Sequence, residues 1–242
     1  MIDFIKGMLF VRKCLICGEA MPNAKENTVF CSKCLLEYEK LGRAKCKKCG
    51  KQEKECRCVP EKLRGKVSFS VHLFAFESEL SRTILYSLKQ RNIGTLQNFL
   101  ADELEKALLR VIPREELKEY SVTYAPRKPK SVREYGFDQA EILAERLSER
   151  LDIPMADMFV HARFSALQKY LNAEEREHNA KKSYSLRCGF SPETEKLLIL
   201  DDVMTTGSTL SCLVSLAKEI GYREIAVIFV AKTTRGKEKD NS

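Results

Sequence analysis

Apolar residues recur at two periods along this chain, and each change of period marks the end of an element. Between Val67 and Phe76 they first alternate (Val67, Phe69, Val71) and then close up (Leu73, Phe74, Phe76), which predicts a half-buried strand. Helical spacing over Ser81–Gln90 and Leu96–Val111 predicts two helices. Val122 to Pro126 reads as a buried strand tip. Ala140, Leu143, Ala144, Leu147 and Leu151 then line one face of a helix. A short strand is expected at Val160–Arg163. Phe164 to Ser183 has no continuous apolar face and reads either as a mobile lid closing over a ligand or as an ordinary surface excursion. Leu197–Leu200 and Ile225–Ala231 are unbroken apolar runs, the pattern of strands buried on both faces, and the Leu210–Ile220 stretch between them is amphipathic. Strands alternating with helices predict an α/β domain with a largely parallel sheet flanked by helices. The charged tail after Thr233 is expected to fray.

The first quarter follows neither period for long. Ile2, Ile5, Met8 and Leu9 suggest a short amphipathic helix over residues 1–13, and Leu35–Leu41 suggests another. The stretch between carries eight of the ten cysteines as four close pairs: Cys14/Cys17, Cys31/Cys34, Cys46/Cys49 and Cys56/Cys58. In a chain expected to be cytoplasmic, such pairs favour metal over disulfides. Two CxxC knuckles, Cys14/Cys17 and Cys31/Cys34, make a four-thiolate tetrahedral zinc site, and Gly18 lets the first knuckle close. Cys46, Cys49, Cys56 and Cys58 make a second, with a CxC closing pair. An interleaved arrangement, in which the first and third pairs share an ion, stays open at this level. Four-thiolate sites have no open position, so two structural Zn²⁺ ions are expected, in place of the core that so polar a segment lacks. The polar run Pro60–Lys66 sets the boundary between a double zinc-ribbon domain, 1–62, and an α/β domain, 63–242.

Charge sharpens this division. The net charge is +8; residues 1–66 hold sixteen Lys/Arg against eight Asp/Glu, and the rest of the chain is balanced. Eight thiolates on two zinc ions would halve that excess. Lys45, Lys47, Lys48, Lys51, Lys54 and Arg57 still cluster around the second site, as on zinc ribbons that contact nucleic acid. Phe30 and Tyr38 are the aromatics near the cysteines, so phosphate contacts would dominate over base stacking, with steep salt dependence. No stretch of eighteen apolar residues occurs, so no membrane span and a cytoplasmic location are expected.

The densest chemistry lies at Leu197–Thr209. An apolar strand runs into Asp201 and Asp202, then into Thr205, Thr206, Gly207, Ser208 and Thr209, where a helix begins. Free backbone N–H groups at that helix start would cradle a phosphate. Adjacent carboxylates would repel a phosphate, which suits them instead to sugar hydroxyls or to a metal's water shell. The pairing suggests a ribose 5-phosphate ligand, and the segment resembles the motif of type I phosphoribosyltransferases that binds phosphoribosyl pyrophosphate (PRPP). The cationic loop Arg127-Lys128-Pro129-Lys130 after the Val122 strand suits a second anion, the pyrophosphate. Lys89, ending the Ser81–Gln90 helix, reads as a surface lysine. The three histidines, His72, His161 and His178, are scattered, and no acceptor site is identifiable.

The paired cysteine knuckles, Arg133-Glu134-Tyr135-Gly136-Phe137-Asp138-Gln139-Ala140, and Leu200-Asp201-Asp202-Val203-Met204-Thr205-Thr206-Gly207-Ser208-Thr209 together resemble the ComF/GntX family over nearly the whole chain. The resemblance implies a zinc ribbon joined to a type I phosphoribosyltransferase-like domain, with a part in natural competence. It implies that Asp201 and Asp202 hold the ribose hydroxyls and Thr205 to Thr209 the 5-phosphate. Arg127 and Lys128 would meet the pyrophosphate, with Mg²⁺ accompanying PRPP, and Asp201, Asp202, Arg127 and Lys128 would form the catalytic set. Arg133, Gly136, Phe137 and Gln139 match the family's RGFNQ-type signature. Arg163, Gln168, Arg176 and Asn179 fall in its lid. Tyr135, Asp138 and Phe164 depart from the pattern, where Arg, Asn and Thr are usual. The implied function is ComF-like: binding of PRPP or ribose 5-phosphate ligands and handling of incoming single-stranded DNA, with a competence helicase or other DNA-uptake proteins as partners. The alternative is an orphan phosphoribosyltransferase of nucleotide salvage.

Overall fold

A computed structural model describes residues 11–161 and 183–233. The lid Phe164–Arg176–Asn179 and the tail beyond Thr233 lie outside them, as does nearly all of the amphipathic stretch 1–13. Arg12–Lys13 (β1) is extended and pairs antiparallel with Ala20–Met21 (β2) around the first knuckle. There Gly18 N–H donates to the Cys14 carbonyl at 3.0 Å, with Gly18 at φ +71°. The third knuckle repeats the turn, with Gly50 N–H on the Cys46 carbonyl and φ +72°. Only glycine takes that backbone without strain. Helix α1, Ser32–Arg43, starts on the second knuckle.

Ser70–Ala75 (β3), Tyr120–Tyr124 (β4), Lys196–Met204 (β7) and Glu224–Lys232 (β8) form one sheet in the order β3-β8-β7-β4, every neighbouring pair parallel. Side-chain alternation along β7 and β8 splits the core in two. Leu198, Leu200, Ala226 and Ile228 meet helices α3 (Gly94–Leu109) and α6 (Gln139–Leu151) on one face. Leu197, Ile199, Ile225, Val227 and Phe229 meet α7 (Ser208–Glu219) on the other. Burial on both faces explains the unbroken apolar runs. Helix α2, Glu79–Gln90, begins in a capping box between Ser78 and Ser81. Three elements were not readable from periodicity: α4 (Arg114–Leu117), α5 (Pro129–Tyr135) and the strand Tyr184–Leu186 (β6). The last pairs antiparallel with Phe159–His161 (β5). Proline at the start of α5 presets its first turn, so the expected loop after Arg127 becomes helical from Pro129.

Strand β3 departs from its half-buried pattern: Ser70 to Phe74 are all buried. Its polar positions face the cysteine-rich module. Ser70 Oγ donates to the Cys58 carbonyl at 3.0 Å, and His72 Nε2 lies 2.6 Å from Glu53 Oε2, both side chains buried. Val29, Phe30 and Tyr38 join the same buried cluster as Leu73, Phe74, Leu96 and Leu100. Tyr38 meets Phe99 edge-on at 5.0 Å and Phe74 at 6.0 Å. The module therefore shares the core of the sheet domain, and the two aromatics near the cysteines are spent on packing.

Candidate functional site

Open parallel sheets bind ligands beyond the carboxyl ends of their strands, and the residues singled out in the sequence converge there at β7 and β4. Strand β7 ends at Met204, and α7 starts at Ser208 after a turn in which Gly207 takes φ +74° as the N-cap. The N-cap Gly207 has no side chain to offer, and the Ser208 N–H reaches Thr206 Oγ1 at 3.4 Å, so backbone N–H groups and hydroxyls gather at this helix start, an arrangement suited to an anion. Thr206 Oγ1 and Ser208 Oγ are 3.0 Å apart at the mouth of the turn. The turn is tied from behind, where the Thr233 hydroxyl donates to the carbonyls of Met204 and Thr205 at 3.3 and 3.2 Å.

The two acids at the end of β7 have different surroundings. Asp202 is buried, accepts from Gln139 Nε2 at 2.5 Å and pairs with Lys89 Nζ at 3.3 Å. Asp201 accepts only the Asp202 backbone N–H among its described hydrogen bonds, at 2.8 Å. Loss of water, and then the neighbouring Asp202 charge, push the Asp201 carboxyl well above the usual carboxylate range, against the pull of that N–H. A cation or a pair of hydroxyl donors would relieve this crowding. The donor set, two carboxylates, fits a hard ion such as Mg²⁺.

The β4 loop is organised differently. Asp138, placed where Asn is usual, caps α6 through the N–H groups of Ala140 and Glu141 and accepts the Arg127 N–H at 2.6 Å. Its own carboxyl is raised by burial, with those backbone bonds opposing. Tyr135, placed where Arg is usual, stacks on the Arg127 guanidinium at 4.5 Å, and Arg127 also donates to the Lys89 carbonyl at 2.9 Å. Both departures thus serve to hold Arg127. Lys128 and Arg133 are exposed.

Sequence reasoning missed two contributors. Lys89 was read as a surface lysine, yet it reaches Asp202. Lys62, in the linker, donates to Ser208 Oγ at 2.8 Å at the phosphate turn, with Pro60 packed beside Gly207. No local motif announces either residue, because each is placed by a distant contact.

The eight N-terminal cysteines gather as two sets, Cys14/17/31/34 and Cys46/49/56/58, each with its sulfurs within 4.8 Å of one another. The interleaved pairing does not occur. All are free thiols. Burial, then the neighbouring thiols, push Cys34 up, and burial is also the main cause at Cys56; Cys49 falls to about 7, mainly through the Lys51 N–H. Four thiols so crowded ionise together only around a cation, and both sets have the donor chemistry of a closed tetrahedral zinc site.

Residues 138–242 match the model of the phosphoribosyl transferase domain family. The chain is 25% identical over 227 residues to competence protein ComFC of Streptococcus pneumoniae, covering 88% of this chain and 96% of that one. It is 34% identical over 99 residues to competence protein F of Haemophilus influenzae, covering 40% of this chain and 43% of that one. A solved structure of the allosteric regulatory enzyme of purine biosynthesis matches with a TM-score of 0.41 and 19% identity, over 60% of this chain and 29% of that one.

Proposed function

We propose that this chain, a homologue of the ComF-type competence proteins with a phosphoribosyl transferase domain behind a cysteine-rich module, binds PRPP or a related phosphoribosyl ligand and assists the cytoplasmic handling of single-stranded DNA. The observation that carries this reading is the junction, at one strand tip, of a glycine-turned helix start with an acid pair of which one member is ion-paired to Lys89. Thr205 to Thr209 would hold the 5-phosphate through backbone N–H groups and hydroxyls, with Lys62 adding charge. Asp201 and Asp202 would take the ribose hydroxyls, Gln139 and Lys89 keeping Asp202 in place. Arg127 and Lys128 would face the pyrophosphate. Bound Mg²⁺ would sit with the acid pair and neutralise pyrophosphate charge. Positioning and electrostatics are the means such a site offers.

For the nucleic-acid half of the proposal, support comes from the competence relatives and from the basic cluster. Lys45, Lys47, Lys48, Lys51 and Arg57 are exposed around the second thiol set, while Lys47 also pairs with Glu77 at 3.0 Å. Among the described residues no helix is long and apolar enough to cross a membrane.

Calorimetry with PRPP and Mg²⁺ tests the ligand. The double change Asp201→Ala, Asp202→Ala is expected to weaken binding at least about a hundredfold, because charged hydrogen-bond partners are lost. Zinc content should stay at one ion per thiol set. Unchanged PRPP affinity would remove the site assignment. Anisotropy of labelled single-stranded DNA with Lys45, Lys47 and Lys48 changed to Ala tests the basic cluster; an unaltered salt-dependent curve would place the DNA elsewhere.

A second reading, transfer of phosphoribosyl to an acceptor, is favoured by an open pocket whose lining includes Thr205 and Lys89, the ion-pair partner of Asp202. Its test is pyrophosphate release across a panel of bases.

A further inference from the structure

The second thiol set and the β7 turn are tied together at two places. The first tie runs through the end of β8. Lys232 stands in register between Ala75 of β3 and Met204 of β7, and its Nζ lies 4.0 Å from Cys46 Sγ. The next residue, Thr233, donates its N–H to the Met204 carbonyl at 2.9 Å and its hydroxyl to the carbonyls of Met204 and Thr205. Two successive residues thus touch the thiols with one side chain and pin the turn with the other. The second tie is the linker after Cys58. Pro60 packs beside Gly207, Lys62 donates to Ser208 Oγ at 2.8 Å, and Lys66 donates to Ser211 Oγ at 2.9 Å.

The first thiol set sits elsewhere. Cys14 and Cys34 belong to the core on the other face of the sheet, with Phe30, Tyr38 and Leu96. Leu63 of the linker joins Met204 and Leu210 in the core beneath the turn. Charge gives the Lys232 tie its direction. Four thiolates gathered on one Zn²⁺ stay doubly negative, and a nearby ammonium is drawn to them. A loaded set therefore holds Lys232. An empty one, with no ion to gather its sulfurs, does not, and Thr233 then hangs from a looser strand end.

We infer that metal at the second thiol set and anion binding at the β7 turn are coupled, with Lys232 as the positioning residue between them. A loaded set favours the anion-binding form of the turn, and a bound anion tightens the hold on the metal. The two effects are one coupling free energy seen from two sites. The inference rests on the phosphoribosyl reading of the turn and adds a control to it.

Equilibrium titration of the zinc-loaded full chain with a chelator, with and without saturating ribose 5-phosphate, tests it. One of the two ions should resist removal at least about fivefold better when ribose 5-phosphate is bound, and the other should not respond. Cys49→Ser should remove the sensitive ion and weaken ribose 5-phosphate by a similar factor in calorimetry, whereas Cys17→Ser should remove the insensitive one. Both cysteines are exposed, and the comparison on the native chain needs neither variant. Lys232→Met should keep two ions and abolish the protection. Lys232→Arg should restore it, which a change acting only on packing would not. Two ions that respond equally, or not at all, would overturn the coupling while sparing the turn. Protection that survives Lys232→Met would overturn the part given to Lys232. A zinc-loaded chain that does not bind ribose 5-phosphate would refute the turn, and the coupling with it.

Discussion

The loops after β7 and β4 face the same side of the sheet but are made of different materials. The β7 loop is backbone: small residues, a left-handed glycine and the open start of a long helix, pinned from behind by Thr233. The β4 loop is side chain: Arg127 is held by Tyr135, by the Lys89 carbonyl and, through its N–H, by Asp138. A backbone cradle is set by its own few residues. A side-chain clamp is set by whatever surrounds it, so its ability to meet an anion depends on partners far away in sequence.

That contrast can be broken most forcefully at Gly207. Gly207→Val places a β-branched residue at φ +74°. It should cost upward of about 1–2 kcal/mol in stability and at least about tenfold in ribose 5-phosphate affinity, read by calorimetry. Loss of stability with full affinity would show that the turn is not the phosphate site.

Next comes Asp138→Ala, which removes the α6 cap and the anchor of the Arg127 N–H. Stability should fall by about 1–2 kcal/mol in denaturant titration. PRPP affinity should fall while ribose 5-phosphate affinity holds, because only the β4 loop is disturbed. Equal losses for both ligands would mean that the loops are not separate devices.

Lys62→Ala tests whether the β7 loop is wholly backbone. A few-fold loss of ribose 5-phosphate affinity, steeper at low salt, is expected from removing one exposed cation near the phosphate. No change at low salt would leave Lys62 a packing residue.

The smallest effect is in the ligand-free chain. Asp201 has a raised carboxyl in the folded state, so its contribution to stability is full in acid and is lost as pH climbs from the usual carboxylate value, about 3.9, towards that raised value. Asp201→Asn removes this term. The variant should gain Tm relative to the native chain as pH rises above the usual carboxylate value, and a gap constant with pH would contradict the raised carboxyl.

How much of this was legible follows the same division. The alternation of strands and helices, the two four-thiol sets and the β7 turn are all local, and each appeared in the sequence as a period or a spacing. Strand β3 was misread as half-buried because Ser70 and His72 look like solvent positions until Cys58 and Glu53 arrive to meet them. Lys89 and Lys62 were passed over for the same reason. Tyr135 and Asp138 looked like losses against the family pattern and turn out to brace Arg127. Residues that serve through distant partners carry no spacing by which to recognise them.

Among the described residues strand β3 is the last of its sheet, with β8 on one side and no strand on the other. A methyl group built at Gly42 of α1 would come 3.4 Å from the Leu73 carbonyl, so the cysteine-rich module lies directly against that strand. An open strand edge is a template for pairing with another chain. By lying against it, the thiol-organised module would limit such pairing. Stripped of metal, such a chain would be expected to become sticky, losing its solubility before its fold.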